Sequence, residues 1–567
     1  MFIRNLITAA APCALLLGAI ATPAEAFLRP LSTYQAVDEN GDNLFDEGAA
    51  EIAAFAPGVN RLFVTNADAN TIDILNLSDQ GILSFYSTID IGAIAQAEGL
   101  DLGGINSVAV NSQGGYLAAA VEAGIKQDPG SVVFFDLEGI YQTAVEVGSL
   151  PDMLTFTPDG NKLLVANEGE PNDDYTVDPE GSVSIIDVSG GLGDLTGKVQ
   201  TATFNDFDDD QQALIDAGVR IFGPGATVSE DLEPEYIAVS PDGTTAYVSL
   251  QENNALGILD IATGKITSIV PLGFKDHSEA GNGFDASNRD DAINIQTHPV
   301  FGMYQPDAIS TYEVDGETYV VTANEGDARE YEDAFVEEQR VGDLLLDPDA
   351  FPNPEEIQED DNLGRLNITT TLGDPDGDGD YDQLFAYGAR SFSIWDAEGK
   401  LVWDSGDEFE QKLASLLPDD FNSNNDENDS FDSRSDDKGP EPEGIAIGMV
   451  GSRIYAFIGL ERVGGIMMYD ITDPDNPQFV NYVNNRDFSG DAEAGTAGDL
   501  GPEGVLFIDQ DLSPTGQNLL VVTNEVSGST TVYAATVPEP GTVLGLLALG
   551  GIGVGALGRK GQRQPTE

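Results

Sequence analysis

The chain has 567 residues, 99 of them Asp or Glu against 24 Lys or Arg, for a formal net charge of −75. A surface of this sign excludes nucleic acid and anionic lipid headgroups as partners and attracts cations. Disorder does not explain the acidity, because 41% of the residues are hydrophobic and fall into strongly patterned strands.

Residues 1–26 read as a secretory signal: a basic start at Arg4, an apolar run from Leu6 to Ile20, and "AEAF" at 24–27, where cleavage releases Phe27. The alternative, a lipoprotein signal at Cys13, is weaker because "AAPC" puts proline where a small residue is needed. Cys13 is the only cysteine, so the mature chain is expected to have no disulfide, thiolate metal site or cysteine nucleophile.

Next in the chain, "DENGDNLFD" at 38–46 spaces Asp38, Asn40, Asp42 and Asp46 like the ligands of a calcium loop, with Asn43 in the place of glycine. One unit then recurs with variations: an acidic turn, a strand, an Asp-Gly or Asn-Gly type hairpin, a second strand ending in Asn-Glu, and a third strand. "PDMLTFTPDGNKLLVANEGE", "EPEYIAVSPDGTTAYVSLQENN" and "QPDAISTYEVDGETYVVTANEGD" are three copies, and "PEGIAIGMVGSRIYAFIGLE" and "PEGVLFIDQDLSPTGQNLLVVTNE" two more. Repeated antiparallel strands feeding one core predict an all-β fold, a β-propeller over residues 27–536 with seven blades as the best fit. An array of β-sandwiches is the alternative, but it leaves the recurring acids unexplained. Residues 191–232, 271–305, 327–383 and 404–440 break the pattern and are expected to project as loops or short helices, the best helical segment being "FEQKLASLL" at 409–417.

The repeat puts leading acids after proline (Asp152, Glu235, Asp307, Glu443, Glu503) and trailing acids at the end of the second strand (Glu168, Glu252, Glu325, Glu461, Glu525). In a propeller both sets stack around the axis as an acidic funnel that calls for cations, protonation or basic partners. Turn chemistry alone is the competing account of each single acid. Arg329, Arg390 and Arg434 stand among acids; they read first as structural ion pairs, and more sharply as an oxyanion grip beside metal-binding carboxylates.

At 374–382, "DPDGDGDYD" places Asp374, Asp376, Asp378, Asp380 and Asp382 at positions 1, 3, 5, 7 and 9 of a calcium loop, with Gly379 at position 6. Asp380 is expected to contribute its backbone carbonyl. Position 12 is Phe385, so the bidentate glutamate is missing and the shell must be weak or completed from elsewhere. A solvated acidic turn is the plainer alternative. His277 and His298, the only histidines, read as loop packing rather than ligands.

The C-terminal segment 537–567 joins Pro-Glu-Pro at 538–540 to 15 apolar residues, Val543 to Leu557, and a tail with Arg559, Lys560 and Arg563. This order is similar to PEP-CTERM sorting signals, which implies a transient inner-membrane anchor cut by a sorting enzyme; a plain transmembrane anchor is the alternative. Between the signals the chain resembles the choice-of-anchor I family, secreted propellers related to mesenchyme-specific cell-surface glycoproteins. "MYQPDAIS", "TANEGDAREY", "DGDGDYDQLFAYGARSFSIWDAEGKLVWDSG" and "FDSRSDDKGPEPEGIAI" carry that resemblance.

The resemblance implies a calcium-associated role at the cell surface or in the extracellular matrix more than it implies a reaction. The leading expectation is therefore a calcium-binding surface protein whose partners are an extracellular polysaccharide, matrix or mineral. The alternative is a metal-dependent phosphomonoesterase, alkaline phosphatase or phytase-like, with candidates Glu168, Glu325, Arg329, Arg390, Arg434, Glu443 and Glu503. A passive coat protein, acidic for solubility alone, is the third.

Overall fold

Tight turns set the fold: Gly160, Gly243, Gly316 and Gly451 close first hairpins with positive φ, a backbone that only glycine adopts without strain. The computed structural model describes residues 26–537, apart from Glu39, Asp42, Glu47, Glu332 and Asp333. The signal sequence and the apolar stretch from Val543 to Leu557 lie outside the described residues. Among the described residues no helix is long and apolar enough to cross a membrane.

Seven four-stranded antiparallel sheets follow one another. Their innermost strands are Ala53–Ala56, Ile105–Asn111, Pro151–Phe156, Ile237–Val239, Ile309–Val314, Pro442–Val450 and Pro502–Ile508. Each touches the next, and the last touches the first, so the ring is closed. The seventh sheet takes its outermost strand, Phe27–Gln35, from the N-terminal end, where it pairs beside Ser529–Thr536. The sequence offers no repeat signature for that strand; its Pro30 suits an edge position, where one lost ladder hydrogen bond is tolerated.

Side chains of the second and third strands fill the space between sheets. Phe63, Phe134, Phe392, Tyr455 and Tyr469 are fully buried there, and each such ring removes apolar surface worth roughly 1.5–3 kcal/mol.

The insertions at 191–232 and 404–440 are largely the loops and short helices expected, and those at 271–305 and 327–383 differ. Residues from 271–305 and 327–383, with Phe385–Ala386 just beyond, meet in a five-stranded sheet built from Phe274–Asp276, Phe301–Met303, Phe385–Ala386, Asn367–Thr369 and Glu338–Arg340. Phe284, Leu346, Phe351, Leu363, Leu366 and Leu384 give it a hydrophobic core of its own. Strands of two or three residues are too short to show an alternating pattern, which is why the sequence reads as loop. The expected helix is present at Glu408–Leu416, with Phe409 and Leu413 buried against the propeller.

Candidate functional site

The leading acids reach the axis through a local device that several blades share. In the Pro151–Phe156, Pro442–Val450 and Pro502–Ile508 strands the register slips just after proline, so two residues face one on the partner strand. The bulge spans Asp152, Glu443 and Glu503, and a bulge re-aims the side chains it carries. The same slip brackets Asn106 in the second blade.

The residue before the proline is left-handed: Leu150, Gln305 and Glu441 have φ of 47°, 39° and 48°. Non-glycine residues rarely adopt this conformation, and the surrounding structure must hold it. Its effect is visible in the backbone, where the Leu150 and Glu441 carbonyls accept the amide hydrogens of the trailing acids Glu168 and Glu461, each at 2.9 Å. Glycine after the acid has a separate reason. A β-carbon on Gly444 would collide with the carbonyl of Glu503, and one on Gly504 with the carbonyl of Glu51.

The asparagine before three of the trailing acids, Glu168, Glu325 and Glu525, is structural. Asn167 donates to Ser184 Oγ at 3.0 Å, Asn324 to Ser393 Oγ at 2.8 Å and Asn524 to Ser529 Oγ at 3.1 Å. Each bond ties the end of the second strand to the third and leaves the following Glu at the axis.

All five leading acids, with Glu168 and Glu325, line one cavity of about 290 Å³ at the centre of the ring. Of the remaining trailing acids, Glu461 and Glu525 line an adjoining space shared with Glu325 and Glu443, whereas Glu252 faces one shared with Arg329. One carboxylate oxygen each from Asp307, Glu325 and Glu443 lie within 4.8 Å of one another, as do those of Glu325, Glu441 and Glu461. Glu51, which lacks the preceding proline and escaped the sequence pattern, joins them electrostatically.

Burial first, and neighbouring carboxylates second, hold Glu168, Glu235, Asp307, Glu443, Glu461 and Glu503 well above the usual carboxylate range. Burial with Glu525 and Asp152 pushes Glu51 up to about 8. Asp152 is pushed up to about 7 by burial and Glu170, against the pull of Lys126.

Glu441 is the opposite case. Burial alone would raise it, but Lys438, Arg434 and Arg462 hold it down at about 2. Arg434 lies 2.8 Å and Arg462 2.9 Å from its oxygens, and Lys438 reaches it at 3.5 Å while bonding Glu325 at 2.6 Å.

The arginines singled out in the sequence are structural ion pairs. Arg329 is buried between Asp231 (3.0 Å) and Glu233 (2.8 Å). Arg390 lies away from the channel and donates to Glu410 at 2.7 Å and to the carbonyls of Asp285, Ser435 and Asp437. Arg434 serves Asp437 at 2.7 Å as well as Glu441. Of the phosphomonoesterase candidates the central cavity brings together Glu168, Glu325, Glu443 and Glu503, and Arg434, held by Glu441 and Asp437, lines the adjoining space with Glu325 and Glu443.

In the 374–382 loop, Asp374, Asp376 and Asp382 converge, with one oxygen each inside the same 4.8 Å limit. Gly377 and Gly379 have φ of 74° and 95°, and their amides donate to the Asp374 carboxylate at 2.8 and 3.0 Å. Asp378 stays outside this trio and accepts from the Asp380 amide at 3.2 Å.

A residue that spacing could not reveal, Asp347, comes in beside Asp382, because Leu346 pairs with Tyr381 and the Asp347 amide donates to the Tyr381 carbonyl at 3.0 Å. In the 38–46 loop the Asp38 carboxylate accepts from both the amide and the side chain of Asn40 at 2.8 Å. Asp46 turns to the channel mouth beside Glu525, and Asp42 lies outside the described residues. His277 and His298 flank the Phe284 ring at 4.6 and 4.9 Å between centroids, as loop packing.

Comparison with known proteins places this geometry. The choice-of-anchor I domain matches residues 51–474, and the PEP-CTERM protein-sorting motif matches residues 536–560. A mesenchyme-specific cell surface glycoprotein of Strongylocentrotus purpuratus is 30% identical over 283 residues, 43% of this chain and 35% of that protein. Gigasin-3a of Magallana gigas is 33% identical over 188 residues, 31% of this chain and 66% of that protein. The chain therefore spans less than two thirds of the length of either relative. Hydrazine synthase of Kuenenia stuttgartiensis is similar at a TM-score of 0.43 and 13% identity, covering 89% of this chain and 100% of that one, which is too distant to bear on function. The chain belongs to the choice-of-anchor I domain family, and its PEP-CTERM motif marks it for export and for a C-terminal sorting enzyme that delivers it to the cell surface or extracellular space.

Proposed function

We propose that this surface-sorted propeller binds calcium and uses its anionic exterior to hold an extracellular matrix or mineral component. The observation that carries the reading is the convergence of Asp374, Asp376 and Asp382 on a glycine-turned loop, with Asp347 available to extend the shell. Hard cations take six to eight oxygen ligands, so waters or the bound component itself complete the coordination. A cation shared between this loop and an outside anion is a means for an acidic protein to adhere to an acidic polymer or a mineral face.

Calorimetric calcium titration of the chain tests the reading. Saturable binding at or below millimolar calcium is expected, with one class of sites lost in Asp374→Asn/Asp376→Asn; absence of saturable binding overturns it. The phosphomonoesterase reading draws its support from the channel carboxylates alone, because the arginines it needs are held in ion pairs. Turnover of a chromogenic phosphate ester that rises with calcium and falls with chelator would restore it.

A further inference from the structure

We propose that the central channel is a second, separate divalent-cation site, with Asp307, Glu325 and Glu443 as its protein ligands. The site stands whether or not the 374–382 loop binds calcium.

Three observations meet here. The three carboxylate oxygens lie within 4.8 Å of one another, the spacing of ligands on opposite sides of an ion that binds oxygen at roughly 2.3–2.6 Å. The same cavity is lined by Glu235, whose side chain is buried with only 9% exposure, and its Oε2 finds no hydrogen-bond donor among the described residues. The second oxygens of Glu443 and Glu503, on the same cavity, are also without a donor there. Buried carboxylates are ordinarily paired or hydrogen-bonded, because an uncompensated charge away from water is costly.

The third observation separates this trio from its neighbour. The adjoining Glu325, Glu441 and Glu461 group already holds cations of the protein's own, since Lys438, Arg434 and Arg462 converge on Glu441. Asp307 and Glu443 make no ion pair with a basic side chain among the described residues; Lys438 bonds Glu325 at 2.6 Å and acts on Asp307 only at longer range. Glu325 keeps coordinating capacity, because each carboxylate oxygen has a lone pair beyond the one taken by Lys438 or by Gln251. The lining offers carboxylates, Gln251, Asn106, Ser107 and Tyr236, with neither His nor Cys, which selects a hard ion such as calcium or manganese over zinc. The cavity leaves room for waters or for an oxygen-bearing ligand on the ion.

The full chain, stripped with chelator and reloaded with manganese, is compared by elemental analysis with Asp307→Asn/Glu443→Gln and with Asp374→Asn/Asp376→Asn. Loss of one ion per chain in the channel variant, and its retention in the loop variant, is expected. An unchanged metal count in the channel variant overturns the site. Failure of the loop variant to lose an ion instead counts against the loop reading and leaves the channel result intact. Manganese anomalous diffraction from wild-type crystals decides independently of how any variant folds: a peak between Asp307 and Glu443 is expected, and no peak there overturns the proposal.

Discussion

Two sets of buried carboxylates in this molecule have opposite surroundings. Around the insertions, Asp231 and Glu233 face Arg329, and Glu410 faces Arg390. Along the axis, Glu235, Asp307, Glu443 and Glu503 face one another, and burial and mutual repulsion drive all four toward the protonated form. Glu441 shows that the axis itself does not forbid ionisation, since three cations keep this fully buried acid charged. A chain with 24 basic residues for 99 acids has placed several of its few cations away from the channel floor. The comparison teaches that the floor is arranged for a charge that comes from outside the chain.

The largest effect is expected where an internal pair is broken. Arg329→Met leaves Asp231 and Glu233 buried without a counter-charge and should cost about 3–5 kcal/mol in urea denaturation; a cost below about 1 kcal/mol would put the two sets on the same footing. Gly444→Ala drives a β-carbon into the Glu503 carbonyl where two inner strands approach closely, and a loss of about 1–3 kcal/mol is expected in the same assay. Glu443→Gln removes an acid that no cation partners and should raise the urea midpoint of the chelated protein at pH 8, while weakening its response to calcium. Asp376→Asn, on the exposed loop, should stay within about 0.5 kcal/mol in chelator and lower only calcium affinity, read by calorimetry.

The parts of this arrangement visible in the sequence are those written as a repeat. Proline followed by an acid marks the bulged start of inner strands, and Asn-Glu marks the end of the second, so Asp152, Glu443, Glu503 and Glu168 could be placed around an axis from spacing alone. Glu51 does the same work without the proline and is silent in the pattern. Asp347 comes beside Asp382 only through the pairing of Leu346 with Tyr381 across the insertion, a contact that no local rule supplies. The cations of Glu441 were hidden for a related reason: Arg434 and Lys438 are close in sequence, but Arg462 arrives from the turn after the second strand of the sixth blade, Arg453–Leu460. In the 374–382 loop the backbone turned by Gly377 and Gly379 groups Asp382 with Asp374 and Asp376, while Asp378 faces Asp380, a grouping that spacing alone does not show.

The most direct test is the thermal midpoint of the chain at pH 5 and pH 8, each with chelator and with calcium. Acids whose folded pKa is raised bind more protons folded than unfolded, so their contribution is intact below the unfolded value and is lost as pH rises toward the folded one. With Asp152 at about 7 and Glu51 at about 8, the chelated protein should lose stability between pH 5 and pH 8. Calcium should restore it at pH 8 and do less at pH 5, where Asp152 and Glu51 hold their protons. A midpoint in chelator that holds or rises over that range, or an equal calcium effect at both values, would contradict a channel built for an outside cation.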